Sequence, residues 1–199
     1  MLTLLVLPSA CRRTPPTPTP HYDQEGIASW YGRPFDGRKT ANGEIFQLTA
    51  LTAAHRTYPF GTILRVVTRQ GSQSVDVRIN DRGPFVAGRI IDLSQAAATK
   101  IGIKGTAEVT LQILSRPTSR AADNYAVQVG EFTSHDDAET ARQSLQQTYG
   151  TATLIHRDED QKWRALVGME TTLEGAEALC HQIPSRYGPS FAVLLDPQN

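Results

Sequence analysis

Three carboxylates stand beside turns, where a backbone can hold them towards a ligand: Glu44 after Asn42-Gly43, Asp81 before Arg82-Gly83-Pro84, and Asp92 two residues before Ser94. The stretch from Gly26 to Leu114 holds only six Asp and Glu, so the groups able to carry a proton there are few. A carboxylic acid can protonate a leaving oxygen, and a carboxylate can take a proton from an incoming hydroxyl, which is how glycosidic bonds are broken. Each residue also has a structural reading. Asp81 fits a turn residue bonded to backbone N–H groups. Glu44 fits a surface partner of Arg38 or Lys39, Asp92 a helix-start residue or partner of Arg89, and His55 a satisfied structural histidine. Trp30 and Tyr31 are strand neighbours and so point to opposite faces, one inward and one free to stack on a ligand.

The elements that must position these groups read mainly as short strands. Ser74 to Asn80 alternates, with Val75, Val77 and Ile79 on one face and Asp76, Arg78 and Asn80 on the other, and Ile63 to Thr68 and Glu108 to Leu114 are similar. Asn42-Gly43, Phe60-Gly61, Gly71-Ser72 and Arg82-Gly83-Pro84 mark turns. One helix is predicted from a Ser94 cap through Ala97, Ala98 and Ile101 to a stop at Gly102. Many short strands in so short a span suggest a closed barrel.

The next part of the chain repeats itself with period 38: Tyr125 matches Trp163, Val127 matches Ala165, Val129 matches Val167, Gly130 matches Gly168, Ser134 matches Thr172, Ala138 matches Ala176 and Leu145 matches Ile183. Each copy reads as a strand followed by a helix capped by Ser134 or by Thr171/Thr172. With strands near Ala152 to His156 and Ser190 to Leu194, the order is β-α-β-β-α-β, a ferredoxin-like arrangement with helices on one sheet face and the other open. Alternation sends Tyr125, Val127 and Val129 to the helices and leaves Gln128, Arg164 and Leu166 on the open face. Cys180 falls on the core-facing stripe and reads as a buried thiol.

Composition excludes several classes. The 199 residues carry a net charge of zero. Gly26 to Leu114 has eleven basic against six acidic residues (+5), and Tyr125 to Leu195 has five against ten (−5). Scattered basic residues followed by an acidic half make nucleic acid an unexpected partner. Cys11 and Cys180, the two cysteines, have neither metal-type spacing nor a disulfide framework.

Six blocks in order carry a family resemblance: Gly26-Ile-Ala-Ser-Trp-Tyr-Gly32, Gly37-Arg-Lys-Thr-Ala-Asn-Gly-Glu44, Leu51-Thr-Ala-Ala-His55, Pro59-Phe-Gly-Thr62, Val77-Arg-Ile-Asn-Asp-Arg-Gly-Pro-Phe85 and Gly88-Arg-Ile-Ile-Asp-Leu-Ser94. Together they resemble the double-psi β-barrel of the rare lipoprotein A family. Tyr125 to Phe132 and Trp163 to Gly168 resemble the paired strands of a SPOR domain, a module that binds glycan strands stripped of stem peptides. The resemblance implies a multi-domain chain: residues 1–11 a lipoprotein signal ending in Cys11, 12–24 a Pro/Thr-rich tether, 25–115 an all-β double-psi β-barrel, 116–123 a linker and 124–196 an α+β ferredoxin-like SPOR domain. It implies a lytic transglycosylase that cleaves peptidoglycan glycan strands, with the muramic acid's own C6 hydroxyl as nucleophile, so that neither metal nor cofactor is required.

By motif position, the resemblance carries catalytic roles to Asp81 and Glu44, with His55 as a third site residue and Asp92 behind them. Gln128, Arg164, Trp30 and Tyr31 become the expected sugar contacts. A free Asp titrates near 3.9 and is ionised at neutral pH, so an acid role for Asp81 requires desolvation or a neighbouring carboxylate such as Glu44, with Arg82 turned to the opposite face. The apolar run Leu2 to Leu7 ending at Cys11 implies acylation of that thiol and a lipid anchor. Arg12, in place of a retaining Asp, points to the periplasmic side of the outer membrane. Septal enrichment and division-protein partners follow from the resemblance alone. The competing expectation is a non-catalytic wall-binding scaffold whose barrel only grips glycan.

Overall fold

The computed structural model describes residues 23–69, 73–117, 124–157, 160–170 and 172–195; Cys11, the Thr/Pro tether and most of the second linker lie outside them. In the first domain β1 (Gln24–Tyr31), β2 (Thr52–Ala54), β3 (Ile63–Thr68), β4 (Ser74–Asp81), β5 (Arg89–Ser94) and β6 (Ala107–Ser115) close in the order β1-β5-β2-β4-β3-β6, and β6 pairs back to β1. The pairs β1 with β5 and β2 with β4 are parallel, while the others are antiparallel. This is the double-psi barrel. Closure leaves no unpaired sheet edge.

Alternation fills the barrel. Val75, Val77 and Ile79 point in, beside Leu64, Val66, Ile91, Leu93 and Leu111, all buried. Burying each such side chain contributes roughly 1.5–3 kcal/mol. The two-residue period fails at the end of β4, where Asn80 and Asp81 are buried one after the other. Helix α1 (Gln95–Lys100) is capped by the Ser94 hydroxyl, which accepts from Ala97 N–H, and lays Ala97 and Ala98 on the core. Gly102, at φ +72°, ends that turn in a conformation that suits glycine.

The second domain joins β7 (Tyr125–Phe132), α2 (His135–Tyr149), β8 (Ala152–Arg157), β9 (Lys162–Glu170), α3 (Leu173–Gln182) and β10 (Ser190–Leu194) in a sheet of order β10-β7-β9-β8. Ser134 and Thr172 cap the helices. The internal repeat is visible in the backbone: Gly130 and Gly168 both adopt positive φ, +65° and +75°, at equivalent places in the two central strands. A Cβ on Gly130 would lie 2.5 Å from the Tyr187 carbonyl oxygen, and one on Gly168 would lie 2.8 Å from Leu179. Glycine is needed in both copies.

The helices cover one sheet face, over Val127, Val129, Ala165 and Val167. The opposite face, expected to be open, is not. Ala126, Leu166 and Val193 pack with Ile155, Leu195 and Phe85 of the barrel. Leu194 N–H donates to the Arg56 carbonyl at 3.0 Å, and the Phe85 and Phe191 rings lie 6.0 Å apart. Gln128 and Arg164 are therefore 1% and 2% exposed. Strand alternation assigned them to the correct face, but it carries no information about what a neighbouring domain lays over that face.

Candidate active site

Ala54 is the geometric centre of the site. It pairs with Asp81 of β4 through the parallel ladder and with Asp92 of β5 through the antiparallel one. With strands about 4.8 Å apart, the two carboxylate-bearing backbones stand about 10 Å from each other. Both residues line one cleft of about 190 Å³, together with Tyr31, Phe46 and Phe85 of the barrel and Arg157 and Arg164 of the second domain.

Asp81 is buried, and its Oδ1 accepts from Arg82 N–H at 2.8 Å and from Ala41 N–H at 2.9 Å. Two backbone donors favour the ionised carboxylate. The turn reading of Asp81 is thus part of its geometry. The Arg82 guanidinium donates to the His55 and Tyr58 carbonyls and lies 3.8 Å from the Phe60 ring, and Arg82 lines the cleft together with Asp81.

Asp92 has the opposite electrostatics. Burial pushes its carboxyl above the ordinary range, against the Ser29 hydroxyl, Arg89 and Arg56, which favour the charge. Ser29 Oγ donates to its Oδ1 and Arg89 to its Oδ2 at 3.1 Å. The pairing with Arg89 is as expected. The cleft therefore holds one carboxylate fixed by N–H donors and one whose carboxyl burial raises above the ordinary range.

Glu44 is elsewhere. It forms a bidentate pair with Arg78 at 2.8 and 2.9 Å and accepts from Asn80 Nδ2 at 3.1 Å, beside a separate cavity. The Arg78 hydrogen bonds hold its carboxyl down at about 2, so Glu44 stays ionised and its partner is Arg78 instead of Arg38 or Lys39. Glu44 is not the group that shares the cleft with Asp81. It anchors the turn that serves Asp81, because the Glu44 carbonyl accepts from Thr40 N–H at 2.8 Å and the adjacent Ala41 N–H bonds Asp81.

His55 lies beneath the site. Its Nδ1 accepts from Thr57 and Tyr58 N–H at 3.2 and 3.1 Å, so Nε2 carries the proton and donates to Gln24 Oε1 at 2.8 Å. The ring stacks on Tyr58 at 4.0 Å, and burial lowers its pKa to about 3. Its backbone N–H donates to the Asp81 carbonyl at 3.1 Å, so the imidazole fixes the segment beside Asp81 without entering the cleft. Tyr31 does face the cleft, against Phe35 and Phe46, while Trp30 packs on the barrel core. Sequence reasoning missed Phe85, Arg157 and the Ala41 N–H. Only Phe85, following Gly-Pro at a turn, carried a signal of exposure.

A family model described as lytic transglycolase matches residues 23–113, and a SPOR domain model matches residues 121–194. The endolytic peptidoglycan transglycosylase RlpA of Vibrio cholerae is 35% identical over 174 residues, covering 82% of this chain and 66% of that protein. This chain belongs to the rare lipoprotein A family. The namesake from Campylobacter jejuni is 51% identical over 102 residues (50% of this chain, 37% of that protein). The probable one from Synechocystis is 62% identical over 91 residues (45% and 28%). The matched part thus spans 28% to 66% of the length of these relatives. Within this rare lipoprotein A chain, the barrel that holds Asp81 and Asp92 is the part covered by the transglycolase model, and the sheet that holds Gln128 and Arg164 is the SPOR part.

Proposed function

We propose that the chain is an endolytic lytic transglycosylase that cuts MurNAc–GlcNAc bonds in glycan strands free of stem peptides, with the SPOR domain as its strand-binding module. The observation that carries this reading is the pairing of Asp81 and Asp92 across Ala54, in one cleft with contrasting environments. Asp92, the carboxyl that burial raises, is the acid of the pair and gives a proton to the departing glycosidic oxygen as the C1–O4 bond breaks. Asp81, ionised, faces the oxocarbenium-like centre and takes the proton of the C6 hydroxyl as that oxygen closes on C1. The proton then returns from Asp81 to Asp92 through solvent. Glu44 and His55 are positioning residues for Asp81, and Tyr31 supplies the ring face on which a sugar stacks.

In this proposal the substrate also decides the location. Acylation at Cys11 holds the chain on the outer membrane, facing the periplasmic wall, and denuded strands at the division septum concentrate it there through the SPOR domain. Incubation of the purified protein with denuded strands tests the chemistry. Products ending in 1,6-anhydromuramic acid support it, reducing ends indicate attack by water, and intact strands support a barrel that only grips glycan.

A further inference from the structure

The strand-binding face of the SPOR sheet and the rim of the carboxylate cleft of the barrel meet in one contact. The Phe85 ring lies 4.7 Å from the Arg157 guanidinium and 5.6 Å from that of Arg164, and packs on Ala126, Leu166 and Val193. Arg157 in turn donates to Gln128 Oε1 at 3.2 Å, and Arg164 is bound by Glu131 and Asp160. On the barrel side the contact brings Glu131, Arg157, Asp160 and Arg164 to the rim of the cleft that contains Asp81 and Asp92. The cavity left is about 190 Å³, below the roughly 300–1,000 Å³ of ligand clefts and too small for a run of several sugars. An enzyme that cuts within a strand needs a cleft open at both ends.

We propose that this contact is a self-masking latch, in which Phe85 occupies the face of the SPOR sheet that a denuded glycan strand would take, while the same sheet roofs the carboxylate cleft. The proposal rests on the strand-binding reading of the SPOR face given above. A strand and Phe85 compete for one surface: the arginine N–H groups and apolar side chains against which Phe85 rests are also groups that donate to sugar hydroxyls and pack on the C–H faces of sugar rings. Binding of a strand therefore requires Phe85 to leave, and its departure opens the cleft. The barrel stays shut until denuded strand is present. A closed form that dominates lowers the apparent affinity by the fraction of open molecules, and a minor state of 10% or less corresponds to a factor of about ten or more.

The full chain is compared with its Phe85→Ala and Phe85→Leu variants by sedimentation with denuded strands. The latch predicts that Phe85→Ala binds about tenfold more tightly than the wild type, with Phe85→Leu between them. In parallel, spin labels at Lys104→Cys and Gln147→Cys, in a Cys11→Ser/Cys180→Ser background, report the distance between the domains. It should be narrow in the free wild type and broaden on adding strands, or without them in Phe85→Ala. Equal binding by wild type and Phe85→Ala overturns the latch, and so does weaker binding by Phe85→Ala, which would make Phe85 part of a joint sugar site. If no form binds strands, the strand-binding reading fails and the distances decide the latch alone. Broadening in Phe85→Ala then upholds it, and an unchanged distance overturns it.

Discussion

Asp81 and Asp92 flank the same residue, with Ala54 of β2 pairing to one across its parallel edge and to the other across its antiparallel edge. Such a double pairing arises because the barrel interleaves strands distant in sequence. It sets two carboxyl groups at a fixed span over one cleft, Asp81 held by two backbone N–H donors and Asp92 raised by burial. The assignment of Asp92 as proton donor follows from that contrast. Asp92→Asn should lower the cleavage rate by about 10² to 10⁴ and remove the alkaline limb of the rate profile that its deprotonation produces. An unchanged pH profile would exclude it as the acid.

Glu44 acts at one remove. Its bidentate bond to Arg78 fixes the Thr40–Glu44 turn, which aims Ala41 N–H at Asp81. Glu44→Ala should cut kcat by about 10² through misplacement of Asp81, with KM changed less. A kcat loss accompanied by a shift of the acid limb to higher pH would show instead that Glu44 exchanges the proton itself.

His55 makes stability depend on pH. Its folded pKa of about 3 lies below the ordinary 6.5, so between those values the unfolded chain binds a proton that the folded chain does not. Stability from this group is complete above about pH 6.5 and falls as the pH drops towards 3, by about 1.4 kcal/mol per unit. Thermal unfolding followed from pH 7.5 to 4.5 should show this decline, and His55→Gln should flatten it at the cost of a lower Tm at pH 7.5. Parallel curves for the two proteins would contradict the buried neutral imidazole.

Much of the fold was legible because its signals are local. The alternation of Val75, Val77 and Ile79, the Ser94 cap, and the glycines repeated as Gly130 and Gly168 depend on neighbours in the chain, and each stands where its residue type implied. The site was less legible because its pairings are distant. Glu44 meets Arg78, 34 positions away, where the sequence offered Arg38 and Lys39 nearby. Asp92 joins Asp81 only through the crossing of β5 past β2, and no periodicity records that crossing. Gln128 and Arg164 were assigned to their face correctly, yet the cover supplied by Phe85 is a property of two domains together.

Tyr31 offers a test of substrate contact apart from proton transfer. Its ring faces the cleft with Phe35 and Phe46 behind it. Tyr31→Ala should raise KM for denuded strands about tenfold, the equivalent of a stacking contact of about 1–1.5 kcal/mol, with kcat within a factor of about three. A change in kcat alone would mean that the ring supports the site without touching the sugar.

The most direct test of the whole account is the digestion of denuded strands by wild type and Asp81→Asn side by side, with products identified by mass spectrometry and strand binding measured on the same preparations. The account predicts 1,6-anhydro ends from the wild type, a rate lower by about 10² to 10⁴ in Asp81→Asn, and equal binding by both. Full cleavage by Asp81→Asn would remove this carboxylate from the mechanism and contradict the account.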